Sequence, residues 1–264
     1  MDGQASFIAV QAAPADPTPK NTQLYCECQH KTGALMAGSQ RIVVLNSKGG
    51  CGKTTLATNL AACYAQAGFK TALLDYDPQG SATFWLSRRP KDRAPIQSIP
   101  AYKYNHSVTR SWFLRVEPNT ERVIVDSPAG LEMSGFQQLL DKADAILIPV
   151  LPSDIDIHAA SHCIADLLLV AKQHKRRQRI AVIANRVRKN LLVYQKLETF
   201  LRSLGIPFVT SLRDTTLYVQ ASDQGLGIHE LHSSRRREDL EHWRELMAWL
   251  DQLQHGEAEG TAAL

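Results

Sequence analysis

From Arg41 onward, short apolar and β-branched runs alternate with stretches of helical spacing. RIVVLN (41–46), KTALLD (70–75), ERVIVD (121–126), DAILIPV (144–150), IAVIAN (180–185) and IPFVTS (206–211) read as six strands. Such near-continuous apolar runs suit strands covered on both faces. Residues 54–68, and roughly 132–142, 155–174 and 190–204, have helical periodicity, and Gly68 closes the first of these helices. A last amphipathic helix spans 234–254, with Leu240, Trp243, Leu246, Met247 and Leu250 on one stripe. The alternation predicts an α/β fold: a doubly wound, mostly parallel sheet with helices on both faces. It occupies 41–254. Residues 1–40 carry Pro14, Pro17 and Pro19 and no sustained periodicity, and read as a flexible N-terminal extension; residues 255–264 read as a flexible tail. Met36, just before the first strand, is a second candidate start.

Composition narrows the class. With 44% hydrophobic and 21% charged residues in 264, the chain can bury a sizeable core. No window approaches eighteen consecutive apolar residues, so no transmembrane helix is expected. The opening MDGQASFIAV has no basic n-region, and five cysteines give no disulfide framework, so a cytoplasmic location is expected.

The strongest chemical signal is Ser47-Lys48-Gly49-Gly50-Cys51-Gly52-Lys53-Thr54-Thr55, between the first strand and the first helix. That is the setting a phosphate-binding loop requires. Gly49, Gly50 and Gly52 let backbone N–H groups curl around a phosphate, and the following helix N-terminus faces the same anion. Lys53 is placed to neutralise the β- and γ-phosphates, and the Thr54 hydroxyl to hold Mg²⁺. Cys51 and Thr55 complete the candidate nucleotide contacts. The usual first glycine is replaced by Ser47, and an additional lysine, Lys48, stands five residues before Lys53.

This K-G-G-x-G-K-T arrangement resembles the deviant Walker A loop of the ParA/MinD ATPases, a branch of the P-loop NTPases. The resemblance implies that Lys48 reaches across an ATP-dependent homodimer to the partner's nucleotide. It extends to Asp75-Tyr76-Asp77-Pro78-Gln79-Gly80-Ser81-Ala82-Thr83, which is similar to the family's switch segment, with Ser81 where Asn is common. By that similarity Asp77 positions the attacking water, and Asp75 supports the Mg²⁺ shell or the loop. Asp126, ending the third predicted strand in Asp126-Ser127-Pro128-Ala129-Gly130, has the Walker B position for Mg²⁺. Asn185 stands where relatives read the purine ring, and Arg213 and Asp214, with the segment 220–225, resemble the base-flanking loop. The resemblance covers about 41–230 and implies ATP and Mg²⁺ as cofactors.

Charge distribution adds a partner. Between Asp166 and Glu198 there are nine Lys/Arg and no acid, including Lys175, Arg176, Arg177, Arg179 and Arg188; Arg235 and Arg236 belong to a second run. Such a stretch suits sequence-independent contact with DNA phosphates. The C-terminal helix carries Glu238, Asp239, Glu241, Glu245 and Asp251 on its polar face, so membrane binding is not expected. The family also implies a ParB-like or analogous partner that stimulates hydrolysis. The expectation is therefore a nucleoid-associated ATPase that positions a plasmid, a chromosome region or a protein assembly. A MinD-like membrane-associated ATPase, an iron–sulfur cluster carrier and a non-catalytic adaptor that only binds ATP stand as alternatives. Cys63 and Cys163 are expected as core residues. The nine histidines are read as scattered, without H-x-x-x-H spacing, and as needing no metal.

Overall fold

The computed structural model describes residues 39–104, 115–130, 137, 142–173, 179–188, 192–203 and 205–255. All belong to the second of the chain's two compact units, Ala37–Leu264. The expected extension and tail lie outside the described residues, except at residues 39, 40 and 255.

Seven strands form one sheet: β1 (Gln40–Val44), β2 (Thr71–Asp75), β3 (Ile96–Ile99), β4 (Arg122–Asp126), β5 (Ala145–Val150), β6 (Ile180–Val187) and β7 (Phe208–Arg213). They lie in the order β3-β2-β4-β1-β5-β6-β7, and every neighbouring pair is parallel. The six predicted strands are all present, the first beginning one residue early, at Gln40. β3 was not expected. It is a short edge strand, IQSI, whose half-exposed Gln97 and exposed Ser98 break any apolar run.

The helices are α1 (Lys53–Gln66), α2 (Ser81–Ser87), α3 (Asp154–Gln173), α4 (Leu192–Ser203), α5 (Leu217–Asp223) and α6 (Arg237–His255). The helix expected over 132–142 lies largely outside the described residues. α2 and α5 were not expected, and α5 occupies much of the segment read as a base-flanking loop. Each has seven residues, too few for a periodic stripe to show.

Alternation along the strands supplies both faces of the sheet. Val43, Leu74, Val125 and Ile148 pack with Ala160, Cys163, Ile164 and Leu167 of α3 and with Leu197 and Leu201 of α4. Ile42, Val44, Leu73 and Ile124, all buried, belong to the opposite face, where α1 contacts β1, β2 and β4. Cys63 and Cys163 are buried free thiols. α6 packs along β7, burying Trp243, Leu246 and Leu250, and the Gln40 side chain donates to the Leu250 carbonyl at 2.9 Å. The acidic face of α6 is not uniformly solvated, which corrects the sequence reading. Asp239 is fully buried against Arg213, and Glu245 accepts from Thr210 Oγ1 at 2.6 Å.

The chain leaving α5 crosses the outer side of α1 as a strap. Ile228 N donates to Asn59 Oδ1 at 2.7 Å, and Trp85 Nε1 donates to the Leu226 carbonyl at 3.2 Å. The approach is close enough to require glycine. Gly225 has φ +65°, and a Cβ there would stand 2.5 Å from Arg89 N. Arg89, just past α2, forks onto Glu230 at 2.7 and 2.9 Å, with both side chains buried. A buried bidentate pair fixes geometry more surely than it adds stability. Here it ties the end of α2 to the strap.

His229, on this strap, is buried edge-on to Trp243, with ring centroids 5.0 Å apart. Both ring nitrogens lack a hydrogen-bond partner, and burial, helped by the nearby Arg236, pushes its pKa down to about 3. The unfolded chain therefore takes up this proton below pH 6.5 while the folded chain refuses it. The histidine's contribution to stability is lost as pH falls from about 6.5 toward 3. At pH 5 the loss from this group is about 2 kcal/mol. Chemical unfolding of His229→Met should show a pH dependence between 7 and 5 flatter by that amount; identical slopes would refute it.

Candidate nucleotide site

The phosphate loop leaves β1 at the point where the sheet order reverses, with β4 on one side of β1 and β5 on the other. Crevices beyond the carboxyl ends of strands at such a switch point are where α/β sheets bind ligands. The loop conformation depends on its glycines: Gly50 and Gly52 have φ +78° and +96°. Gly52 also precedes α1 without any side-chain cap, so the first N–H groups of the helix remain available to an anion.

Lys53 is buried and its Nζ donates to the Lys48 carbonyl at 3.0 Å, which curls the side chain over the loop. Cys51 Sγ also approaches that carbonyl, at 3.4 Å, and burial pushes its thiol pKa up, keeping it neutral. Gly49 and Gly50 are exposed, and Thr54 and Thr55 are half-buried at the start of α1. A pocket of about 260 Å³ opens beside Thr54 and Thr55, walled by Phe84 and Trp85 of α2 and Tyr218 of α5.

The carboxylates divide into two kinds. Asp126 is fully buried, and neither of its oxygens completes a hydrogen bond, although the Thr54 hydroxyl lies close enough to favour the ionised form. Burial pushes its pKa up to about 7; Asp75 and Asp77 add to the rise, and Lys53 opposes it. An orphaned buried carboxylate beside a threonine hydroxyl is a donor set that fits Mg²⁺. Asp126 and Thr54 would hold the ion, which supplies charge neutralisation between phosphate oxygens.

Asp75, the register partner of Asp126, is occupied with protein. Its Oδ2 accepts from Thr83 N at 2.8 Å and Thr83 Oγ1 at 2.9 Å, and its Oδ1 accepts from Asp77 N at 3.1 Å. Of the two roles expected for Asp75, these bonds serve the loop. They pin the switch segment and the start of α2 to the end of β2. Asp77 is half-buried and turns its own loop, with Oδ1 accepting from Gln79 N at 2.9 Å.

Lys48 donates its ammonium to Asp156, in the first turn of α3, and Asp156 also accepts from Ser153 Oγ. Asp156 does not stand out in the sequence. Its only signal is an acid at the start of a predicted helix, which is common.

The expected base-reading residues are placed differently from expectation. β6 has register shifts against β7 beyond Val182 and beyond Ala184, and Arg186 takes a left-handed φ of +52°. This aims Asn185 at the phosphate loop: its Nδ2 donates to the Cys51 carbonyl at 2.8 Å, and its Oδ1 accepts from Arg186 N. A Cβ on Gly52 would meet that Nδ2 at 2.1 Å, so Asn185 braces the loop. Arg213 forks onto Asp239 at 2.6 and 2.9 Å and reaches Glu238. Asp214 pairs with Arg188 at 2.5 Å. Arg213 and Asp214 are thus engaged with α6 and with the end of β6.

Of the basic residues, Lys175, Arg176 and Arg177 lie outside the described residues. Arg179 and Arg235 are exposed, with Arg179 3.6 Å from Asp144. Arg236 turns inward and donates to the His229 carbonyl, so it braces the strap rather than extending a phosphate-binding surface. Among the described residues, no helix is long and apolar enough to cross a membrane. Nor do three or more His, Cys, Asp or Glu side chains gather there as a metal cluster.

Loop, capless helix and orphaned carboxylate define a P-loop nucleotide-binding protein of α/β architecture. Residues 42–228 match the CbiA family, described as the CobQ/CobB/MinD/ParA nucleotide binding domain. The chain belongs to this family and is an ATPase with ATP as its nucleotide. It is 33% identical over 196 residues to Maintenance of carboxysome distribution protein A (McdA) of Halothiobacillus neapolitanus, covering 74% of this chain and 89% of that one. It is 31% identical over 212 residues to the protein of that name from Gloeobacter kilaueensis, covering 80% and 93%. Among solved structures, apo McdA of Cyanothece superposes with a TM-score of 0.63 at 19% identity, covering 80% of this chain and all of that one.

Proposed function

We propose that this ATPase distributes a protein assembly of the carboxysome kind along nucleoid DNA, in the cell's cytoplasm. The reading is carried by the similarity to two McdA proteins across about nine-tenths of their lengths. ATP closes two copies into a homodimer in which Lys48 contacts the partner's nucleotide. To do so Lys48 exchanges Asp156 for phosphate, one anionic partner for another. Lys53 and the loop amides hold the phosphates, Thr54 and Asp126 the metal, and Asp77 orients the water. The dimer binds DNA without reading its sequence, through the basic stretch that includes Arg176, Arg177, Arg179 and Arg188. A stimulating partner carried by the cargo triggers hydrolysis and release.

The test is DNA binding with ATP and with ADP, on two unrelated duplexes, over a salt series. Binding should need ATP, ignore sequence and fall by about 0.9 in log–log slope per phosphate neutralised. Arg176→Glu with Arg177→Glu should lower DNA affinity at least about tenfold, because two cations become anions facing phosphate, and should leave ATP-dependent dimerisation intact. Equal binding in both nucleotide states would remove the DNA part of the proposal. A Lys48→Ala chain that still dimerises with ATP would remove the role across the interface.

A further inference from the structure

His158 and His162 are four residues apart on α3, which corrects the reading of the histidines as scattered. On a helix that spacing places two side chains one above the other on the same face. Both are exposed, and their ring centroids are 4.7 Å apart, with the ring planes inclined at 65°. Among the described residues neither ring has a hydrogen-bond or ion-pair partner. Exposed Ile155 and Leu169 flank them on the same face, at 75% and 61% exposure, so among the described residues no other element covers this side of the helix.

We propose that His158 and His162 chelate a divalent transition-metal ion of the Zn²⁺, Ni²⁺ and Cu²⁺ class. Imidazole nitrogen suits these ions, whereas Mg²⁺ and Ca²⁺ take oxygen. Two imidazoles binding at about 2.0–2.1 Å with a near-tetrahedral angle have ring centroids about 5 Å apart. The 4.7 Å separation is within a few tenths of an ångström of that, so the two rings already stand at the spacing a chelate needs. The backbone is already fixed, because the opposite face of this helix is set in the core through Ala160, Cys163, Ile164 and Leu167. No third His, Cys, Asp or Glu completes the set among the described residues, so the remaining positions go to water or to a group brought by another molecule. The chelate clamps the helical turn that follows Asp156, the partner of Lys48. The site is separate from the Asp126–Thr54 set and does not rest on the positioning role.

The test is calorimetric titration of the full chain with Ni²⁺, without nucleotide or Mg²⁺. In a chelate the second imidazole binds at high effective concentration, so losing either one should weaken the site at least about tenfold. His158→Ala and His162→Ala should each show that loss. The double variant should lose the residual binding as well, because neither imidazole remains. Both substitutions are on an exposed helix face and favour helix, so circular dichroism should be unchanged. Isotherms unaltered by both single variants would overturn the proposal. So would a site that persists in His158→Ala with His162→Ala and disappears only when the C-x-C pair near the start of the sequence, Cys26 and Cys28, is replaced by serine.

Discussion

Asp126→Asn is expected to make the ligand-free chain more stable while removing most of its ATP hydrolysis. The carboxylate is buried beside Thr54 with no completed hydrogen bond, and its pKa rises from 3.8 to about 7. A raised aspartate binds its proton more readily when folded than when unfolded. The fold therefore gains stability as pH falls from about 7 toward 4, and carries the full penalty above 7. A rise of that size corresponds to about 4 kcal/mol, so replacing the charge by a neutral amide should recover roughly 2–4 kcal/mol at pH 8. Denaturant unfolding without nucleotide should show that gain, and a wild-type stability that falls between pH 6 and pH 8 relative to the variant. Adding ATP and Mg²⁺ should reverse the order, because only the carboxylate offers a full negative charge to the ion. A variant less stable than wild type at pH 8 would mean that Asp126 is held by bonds, not reserved for a cation.

Asp77→Asn is expected to bind ATP with near wild-type affinity and to turn it over about 10²–10⁴ times more slowly, the usual contribution of a group that orients and deprotonates water. Asparagine is the informative replacement. Its side-chain oxygen can still accept from Gln79 N, as Oδ1 of Asp77 does at 2.9 Å, so the switch turn survives and only the charge is removed. The variant should accumulate as an ATP-bound dimer, visible by sedimentation, with phosphate release slowed in a single turnover. Wild-type turnover would show that Asp77 shapes the loop only, the part that Asp75 plays through Thr83 and the Asp77 amide.

Much of the fold was legible because a parallel sheet covered on both faces leaves unbroken apolar strands, and six of its seven strands are such runs. β3, α2 and α5 escaped because short, half-exposed elements take their shape from neighbours rather than from periodicity. α2 illustrates this: it begins at a left-handed Gly80 and is held by Asp75, eight residues before Thr83. His158 and His162, four residues apart within the helix predicted over 155–174, could be paired from the letters; the structure added that their face of the helix is exposed.

By itself the sequence determined the strand–loop–helix around Lys53, the carboxylates ending β2 and β4, and hence the nucleotide chemistry. Each of these depends on local geometry: glycines that permit left-handed turns, a helix N-terminus, and strand ends a few residues away. The tertiary structure alone decided which partners those groups keep. Asp156, more than a hundred residues from Lys48, holds its ammonium. Asn185 supports Cys51 rather than standing free, and Arg213 is absorbed by Asp239. Asp75 and Asp126 look alike as strand-end acids, yet one is saturated with hydrogen bonds and the other has none. Side-chain bonds form wherever packing brings a donor within about 3 Å of an acceptor, and for Lys48 and Asn185 packing joins segments that lie more than a hundred residues apart along the chain.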